Sequence, residues 1–463
     1  MHRNVICAAA LAAATAAPLA ARAQDAELQR IREEIRQMKD AYERRIEALE
    51  KRLQETEARA AKAPEPPSEA PARTASRPAG EGAFNPAVSL ILNGTASNLQ
   101  REPGTFRING FVPTRGEVAP PRRGLSLGES ELALSANVDP LFRGTLMAAL
   151  KPEGGIEVEE GYMQTLGLSN GLSVKAGRFF SGVGYQNQVH AHAWDFTDAP
   201  LVMKAFLGNQ LADDGVQVKW VAPTELYMDL GVEAGRGRAF PGTDRSKNGF
   251  GSGTLFAHLG GDLGASYAWQ VGLSHLRTSP RDRAYEDSDS SGAGVTNSFT
   301  GRSRLWALDG VLKWAPEGNS SEVNFKLQGE YFRRSESGSL TYDTQATSLG
   351  TQTGAYGSRQ SGWYLQGVYQ FMPKWRAGYR YDRLNAGATS IGLVNAGALT
   401  AADFPILGGY NPKRNTVMVD WSPSEFSRVR LQLARDYSRL GEPDNQIFVQ
   451  YIMSLGAHGA HKF

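Results

Sequence analysis

"GWYLQGVYQFMPKWR" (residues 362–376) decides the architecture. Its first ten residues alternate between apolar and polar side chains, which gives an extended strand one apolar face and one polar face. "MPK" (372–374) then leaves room only for a turn before the next strand begins at Trp375. Trp375 sits beside that turn, while Trp363 sits near the start of a strand that descends from a long polar segment.

The same alternation recurs in "ELALSANV" (131–138), "ELYMDLGVEAG" (225–235), "EVNFKLQGEYF" (322–332) and "SRVRLQLARD" (427–436). Short turns fall at "NVDP" (137), "SNG" (169), "APTE" (222), "GDLG" (261), "PEGN" (316), "MPK" (372) and "SPSE" (422). Between them lie long Gly/Ser/Asp-rich stretches at about 99–128, 180–213, 236–252, 277–302, 335–360, 385–412 and 437–445, and one short connection, "KPEGG" (151–155). Seven turns interleaved with eight loops demand sixteen antiparallel strands with both ends of the sheet on the turn side. Trp220, Trp314, Trp375 and Trp421 lie by the turns, and Trp306 and Trp363 lie a membrane's breadth away, as two interfacial belts require. The reading is all-β, a transmembrane barrel over 84–463 in contact with outer-membrane lipid.

The front of the chain sets the compartment. Arg3, the apolar run Val5–Leu19 and Ala21-Arg22-Ala23 form a secretory signal over 1–23. Cys7 is the only cysteine, so the exported chain holds no disulfide. Leu28, Ile31, Ile35, Met38 and Tyr42 follow heptad spacing, and Ile46, Leu49 and Leu53 continue it after a stutter. Residues 24–62 are thus expected as a periplasmic α-helical coiled coil, and the Pro/Ala-rich 63–83 as an unfolded linker. A net charge of +2, close to zero once the signal is removed, excludes a nucleic-acid binder. "QIFVQYIMSL" (446–455) and the terminal Phe463 read as a closing strand with an aromatic end, which resembles the signal that the barrel-assembly machinery recognises in bacterial outer-membrane proteins.

Signal, coiled coil, linker and sixteen strands together resemble the trimeric outer-membrane porins of the phosphate-selective porin and DcaP-like group. "EVEEGYMQTLGLSNGLSVKAGRFFSGVGY" (157–185) is similar to that group's paired-glutamate strand and "KAGRF" strand. The resemblance implies a homotrimer in the outer membrane of a Gram-negative bacterium that passes small hydrophilic, including anionic, solutes passively. "HAHAWDFTDAP" (190–200) and "GAHGAHKF" (456–463) resemble barrels described as zinc-regulated outer-membrane receptors. That implies a second function, metal uptake of a TonB-dependent kind. About 380 residues, however, cannot make twenty-two strands and a plug. A third function is a tether between the outer membrane and the cell wall through the coiled coil.

With apolar residues outward, Glu129, Glu131, Glu157, Glu159, Asp229 and Glu233 face the lumen from the second, fourth and seventh strands. Lys313, Lys326, Arg376, Arg380, Arg428 and Arg430 face it from the tenth to fifteenth, across the ring. Lys175 and Arg178 of "KAGRF" join this expected pore wall. An acidic wall opposite a basic wall makes a transverse field. Loop 180–213 is expected to fold into the pore as a constriction. Its His190 and His192 point the same way on an extended chain, with Asp195 within reach, a plausible Zn²⁺ ligand set. His458 and His461 form a second cluster. No cofactor is required, and Zn²⁺ is an optional ligand. "GLSLG" (124–128) matches a nucleophile-elbow pattern around Ser126 but runs into a strand, so no enzyme is expected.

Overall fold

The computed structural model describes residues 86–114, 118–152 and 154–456. The expected signal, coiled coil and linker, with His458, His461 and Phe463, lie outside the described residues.

Eighteen strand segments form one sheet. They are β1 (Ala87–Leu99), β2 (Gly124–Leu127), β3 (Ser130–Asn137), β4 (Phe142–Leu150), β5 (Ile156–Thr165) and β6 (Leu172–Phe180). Next come β7 (Ala212–Val221), β8 (Tyr227–Gly235), β9 (Ser252–Leu263), β10 (Tyr267–Thr278), β11 (Arg283–Ser288) and β12 (Gly294–Trp314). The last are β13 (Asn324–Tyr342), β14 (Gln352–Met372), β15 (Trp375–Ile391), β16 (Lys413–Ser424), β17 (Ser427–Asp436) and β18 (Asp444–Gly456). β2 and β3 both pair with β1 and are halves of one strand. β10 and β11 likewise share the partner β12. Sixteen antiparallel strands result, and β1 closes the ring on β18 from Ser89↔Gly456 to Leu99↔Gln446. The short turns and both ends of the sheet occupy one rim, and the longer connections occupy the other, as the sequence requires.

Polarity explains the ring. Leu230, Val232, Leu273, Leu308, Leu365, Val417, Leu433 and Val449 all project outward and are exposed. Trp306 and Trp363 mark the top of this band, and the stacked pair Trp375–Trp421, ring centroids 6.0 Å apart, marks the bottom. Trp306 and Trp314 are eight residues apart, about 27 Å along a strand. A tilt of ~40° reduces that to about 20 Å, close to the apolar band of a membrane barrel.

Two expected loops are largely strand. β11–β12 occupy most of 277–302, and β13–β14 most of 335–360. Above Trp306 and Trp363 the polarity inverts. Arg302, Arg304, Arg333 and Arg359 point outward, while Val295, Phe299, Leu340 and Tyr356 turn inward. Water rather than lipid bathes this wall, so the Gly/Ser-rich sequence that reads as loop continues the ladder.

The inner side is packed. The connection between β6 and β7 enters the barrel and forms α1 (Leu201–Leu207), whose seven residues are all buried. α1 rests on Leu276, Leu305, Ala307, Phe332, Tyr364 and Leu384 of the facing strands. A second apolar cluster above joins α2 (Gly392–Asn395) and residues 399–407 to Tyr285, Phe299, Tyr342 and Tyr356.

Leu365→Arg places a cation on the outward face amid the apolar band. Loss of about 2–4 kcal/mol of unfolding free energy in lipid vesicles is expected, measured by denaturant titration.

Candidate functional site: a charged constriction across the lumen

The connection 181–211 is built to enter the lumen. Gly184 has φ +71°, and a Cβ there would collide with Glu330 Oε2. Glu330 instead accepts the Gln186 N–H at 2.8 Å, and Glu233 accepts the Gly182 N–H at 2.8 Å. Buried Asn187 ties the base of the loop, donating to Ser181 O at 2.8 Å and accepting from Leu211 N at 2.6 Å. Pro200 at the N-cap and Gly208 in the left-handed region bound α1. Asp382 accepts the Leu201 N–H at 2.8 Å, a carboxylate at a helix N-terminus.

Between these anchors the loop spans two charged walls. On the acidic side His192 Nδ1–H donates to Glu131 Oε1 at 2.9 Å, and His190 Nε2–H donates to Glu160 Oε2 at 3.1 Å. On the basic side Asp195 binds Lys326 at 2.5 Å and Arg376 at 3.1 Å. Asp198 binds Lys204 at 3.0 Å, Arg380 at 3.0 Å and Arg414 closer still. Arg428 and Arg430 donate to the Trp194 carbonyl at 3.3 and 2.8 Å. Burying these charges is tolerable because Asp195 and Asp198 meet lysines and arginines and the Trp194 carbonyl takes bonds from Arg428 and Arg430.

The expected pore-wall residues fall out as follows. Glu159, Lys175, Lys313, Lys326, Arg376, Arg380, Arg428 and Arg430 point inward. Lys175 Nζ lies 4.4 Å from the Tyr162 ring centre. Glu157 points inward at the upper rim, half exposed and paired with Lys151 at 2.6 Å. Arg178 is a correction. Its position is an odd number of residues from Lys175, so the pleat turns it outward, where it binds Asp214 of β7 at 2.6 Å. Asp195 is a second correction, because it belongs to the lysine–arginine wall and not to the histidines. The loop meets both walls, carrying imidazole N–H donors to the carboxylates and carboxylates to the lysines and arginines.

Sequence reasoning missed Glu160. A bulge in the β4–β5 register, between Met147 and Ala148, adds a residue to β5 and brings both Glu159 and Glu160 inward. It also missed α1, although proline, an apolar run and glycine in "PLVMKAFLG" (200–208) are start and stop signals. Ser126 lies within β2 opposite Thr95, in a ladder instead of a strand-to-helix turn.

Below the loop a cavity of about 1470 Å³ extends to the turn rim at Gly264, Ser266 and Gly318. Its lining holds seven Lys/Arg, among them Arg143, Lys175, Lys313 and Arg428, against the carboxylates Glu160, Asp195 and Asp262.

Asp198→Asn removes the counter-charge shared by Lys204, Arg380 and Arg414. Stability should fall by about 3–5 kcal/mol, and the 181–211 loop should become cleavable in limited proteolysis of the folded barrel.

No family model matches the chain. Among solved structures, the loop-L8 deletion mutant of OmpT, an outer membrane protein of Vibrio cholerae, is 12% identical and covers 81% of this chain and all of its own, with TM-score 0.48. The outer membrane channel DcaP of Acinetobacter baumannii is 10% identical, covers 80% of this chain and 97% of its own, and has TM-score 0.45. The anion-selective porin from Comamonas acidovorans gives 10%, 80%, 99% and 0.45. The architecture rests on the strand pairing described above. An uncharacterised protein of Aquifex aeolicus (strain VF5) is 32% identical over 425 residues, 83% of this chain and 81% of the relative. The chain belongs to the same family as that protein.

Proposed function

We propose that this chain, and the family it belongs to, is an outer-membrane diffusion channel for small hydrophilic solutes that prefers anions. The cavity carries the reading, because its seven basic side chains outnumber its three acidic ones and raise the local concentration of anions. A closed barrel with an apolar exterior and a charged interior supports the same conclusion. The buried α1 supports a narrow path, restricted where the loop crosses.

The working unit in this reading is a homotrimer. The outward face of β4–β6 carries Gly144, Ala148, Gly161 and Ala176 and none of the tryptophans, so it suits a neighbouring barrel better than lipid. The outward ion pair Arg178–Asp214 also suits a protein contact more than a hydrocarbon one. The proposal includes export by residues 1–23, a trimeric periplasmic coiled coil at 24–62 and membrane assembly through Phe463.

In planar bilayers the purified protein should give small current steps in multiples of three, with chloride more permeant than potassium. Lys313→Glu with Arg428→Glu should abolish or reverse that preference, and Leu201→Ser with Phe206→Ser should enlarge the steps. Absence of current from correctly folded protein would overturn the channel.

A further inference from the structure

We infer that the acidic end of the constriction is a binding site for a divalent transition-metal cation, with His190, Glu131 and Glu159 as ligands. His190 Nδ1, one carboxylate oxygen of Glu131 and one of Glu159 lie within 4.8 Å of one another. These atoms, His190 Nδ1, Glu131 Oε2 and Glu159 Oε2, are buried and have no hydrogen-bond partner among the described residues. Their mutual separations, 3.5 Å from Nδ1 to Glu131 Oε2 and 3.6 Å to Glu159 Oε2, exceed a hydrogen bond. Glu131 is fully buried, and its Oε2 has only the His190 ring beside it, at 3.5 Å.

The surrounding bonds prepare these atoms as ligands. Glu160 receives the Phe180 N–H on Oε1 at 3.0 Å and takes the His190 Nε2–H on Oε2. With its proton held on Nε2, His190 directs the Nδ1 lone pair at the two carboxylates, the outer-shell pattern of ligating histidines. His192 occupies Glu131 Oε1 and leaves Oε2 for the ion. Three carboxylates face two imidazoles here, and a dication offsets two of the three negative charges. One nitrogen and two carboxylate oxygens favour Zn²⁺ or Mn²⁺ over Ca²⁺. His190, His192 and Glu160 border the cavity, which gives the ion its entry path. Binding itself does not rest on the channel reading. Its consequence does, because an ion here fixes the loop to the acidic wall and lowers conductance.

The test uses full-length protein carrying His458→Gln and His461→Gln, so that tail histidines bind nothing. Equilibrium dialysis against Zn²⁺ should retain one ion per chain at micromolar concentration. Glu159→Ala should abolish retention, and Glu160→Gln should weaken it by about 10–100-fold. Heat-modifiable mobility in gels checks that each variant is a folded barrel. No retained Zn²⁺, retention unchanged by Glu159→Ala, or equal retention of Ca²⁺ would overturn the site. Zn²⁺ retention without any ionic current would refute the channel and leave the site standing.

A separate observation carries a second proposal, that the upper outer surface binds phosphate-bearing lipid headgroups. Arg277, Arg302, Arg304, Arg333, Arg359 and Arg435 project outward along β10, β12, β13, β14 and β17. The register sets Arg277 opposite Arg304, joins Arg304 to Arg359 through Ser335, and puts Arg333 opposite Trp306, while Arg435 stands apart on β17 between Asn415 and Asn445. No ion pair to a carboxylate is found for these six among the described residues. Guanidinium groups at headgroup depth bind phosphate bidentately. Detergent-purified full-length protein should retain bisphosphorylated lipid A, read by native mass spectrometry, more than its dephosphorylated form. Arg302→Gln, Arg304→Gln and Arg333→Gln together should cut retention at least tenfold and leave the current steps unchanged. Equal retention of both lipids, competition by inorganic phosphate at the same potency, or no effect of the triple variant would overturn the proposal.

Discussion

A charge inside a barrel must find a partner there, because the sheet around it is bounded by lipid and offers none. Much of the interior follows from that constraint. β3, β5 and β8 turn carboxylates inward, and β12, β13, β15, β16 and β17 turn lysines and arginines inward. The loop between β6 and β7 answers both walls in one crossing, with His190 and His192 toward one and Asp195 and Asp198 toward the other. The order of residues in that loop is therefore a map of the lumen it crosses.

The apolar helix depends on the same crossing. Lys204 is buried within α1 and reaches Asp198, which also binds Arg380 and Arg414. That one carboxylate joins loop, helix and two strands. Apolar packing against Phe332, Tyr364 and Leu384 then fills the space beside it, and Arg334 stacks on Phe206, 5.0 Å from its ring centre. Electrostatics places the loop, and hydrophobic burial fixes it.

The strands and turns were legible because a membrane barrel imposes period two with lipid on one side. Trp375 beside its turn and Trp363 at the far interface could be read from spacing alone. The protruding parts of β12 to β14 were not legible, because above Trp306 the apolar face turns inward and small polar residues weaken the contrast. Arg178 was misplaced by treating "KAGRF" as a motif when the pleat separates its two cations. Glu160 was hidden by the bulge, since one inserted residue breaks the parity by which faces are read. Asp195 was assigned to the histidines by nearness in sequence, although a loop three residues farther along had already reached the opposite wall.

The seam between β1 and β18 has a kinetic meaning. Ser89 meets Gly456 and Leu99 meets Gln446, so the last ladder joins the two ends of the described sheet. Until that pairing forms, the chain is an open curl with two unsatisfied edges, each ready to template a neighbour. No local hairpin can shorten the wait, because these partners are among the most distant in sequence. The ring is therefore complete only when its two ends meet, and the pairing that closes it also removes its capacity to template a neighbour.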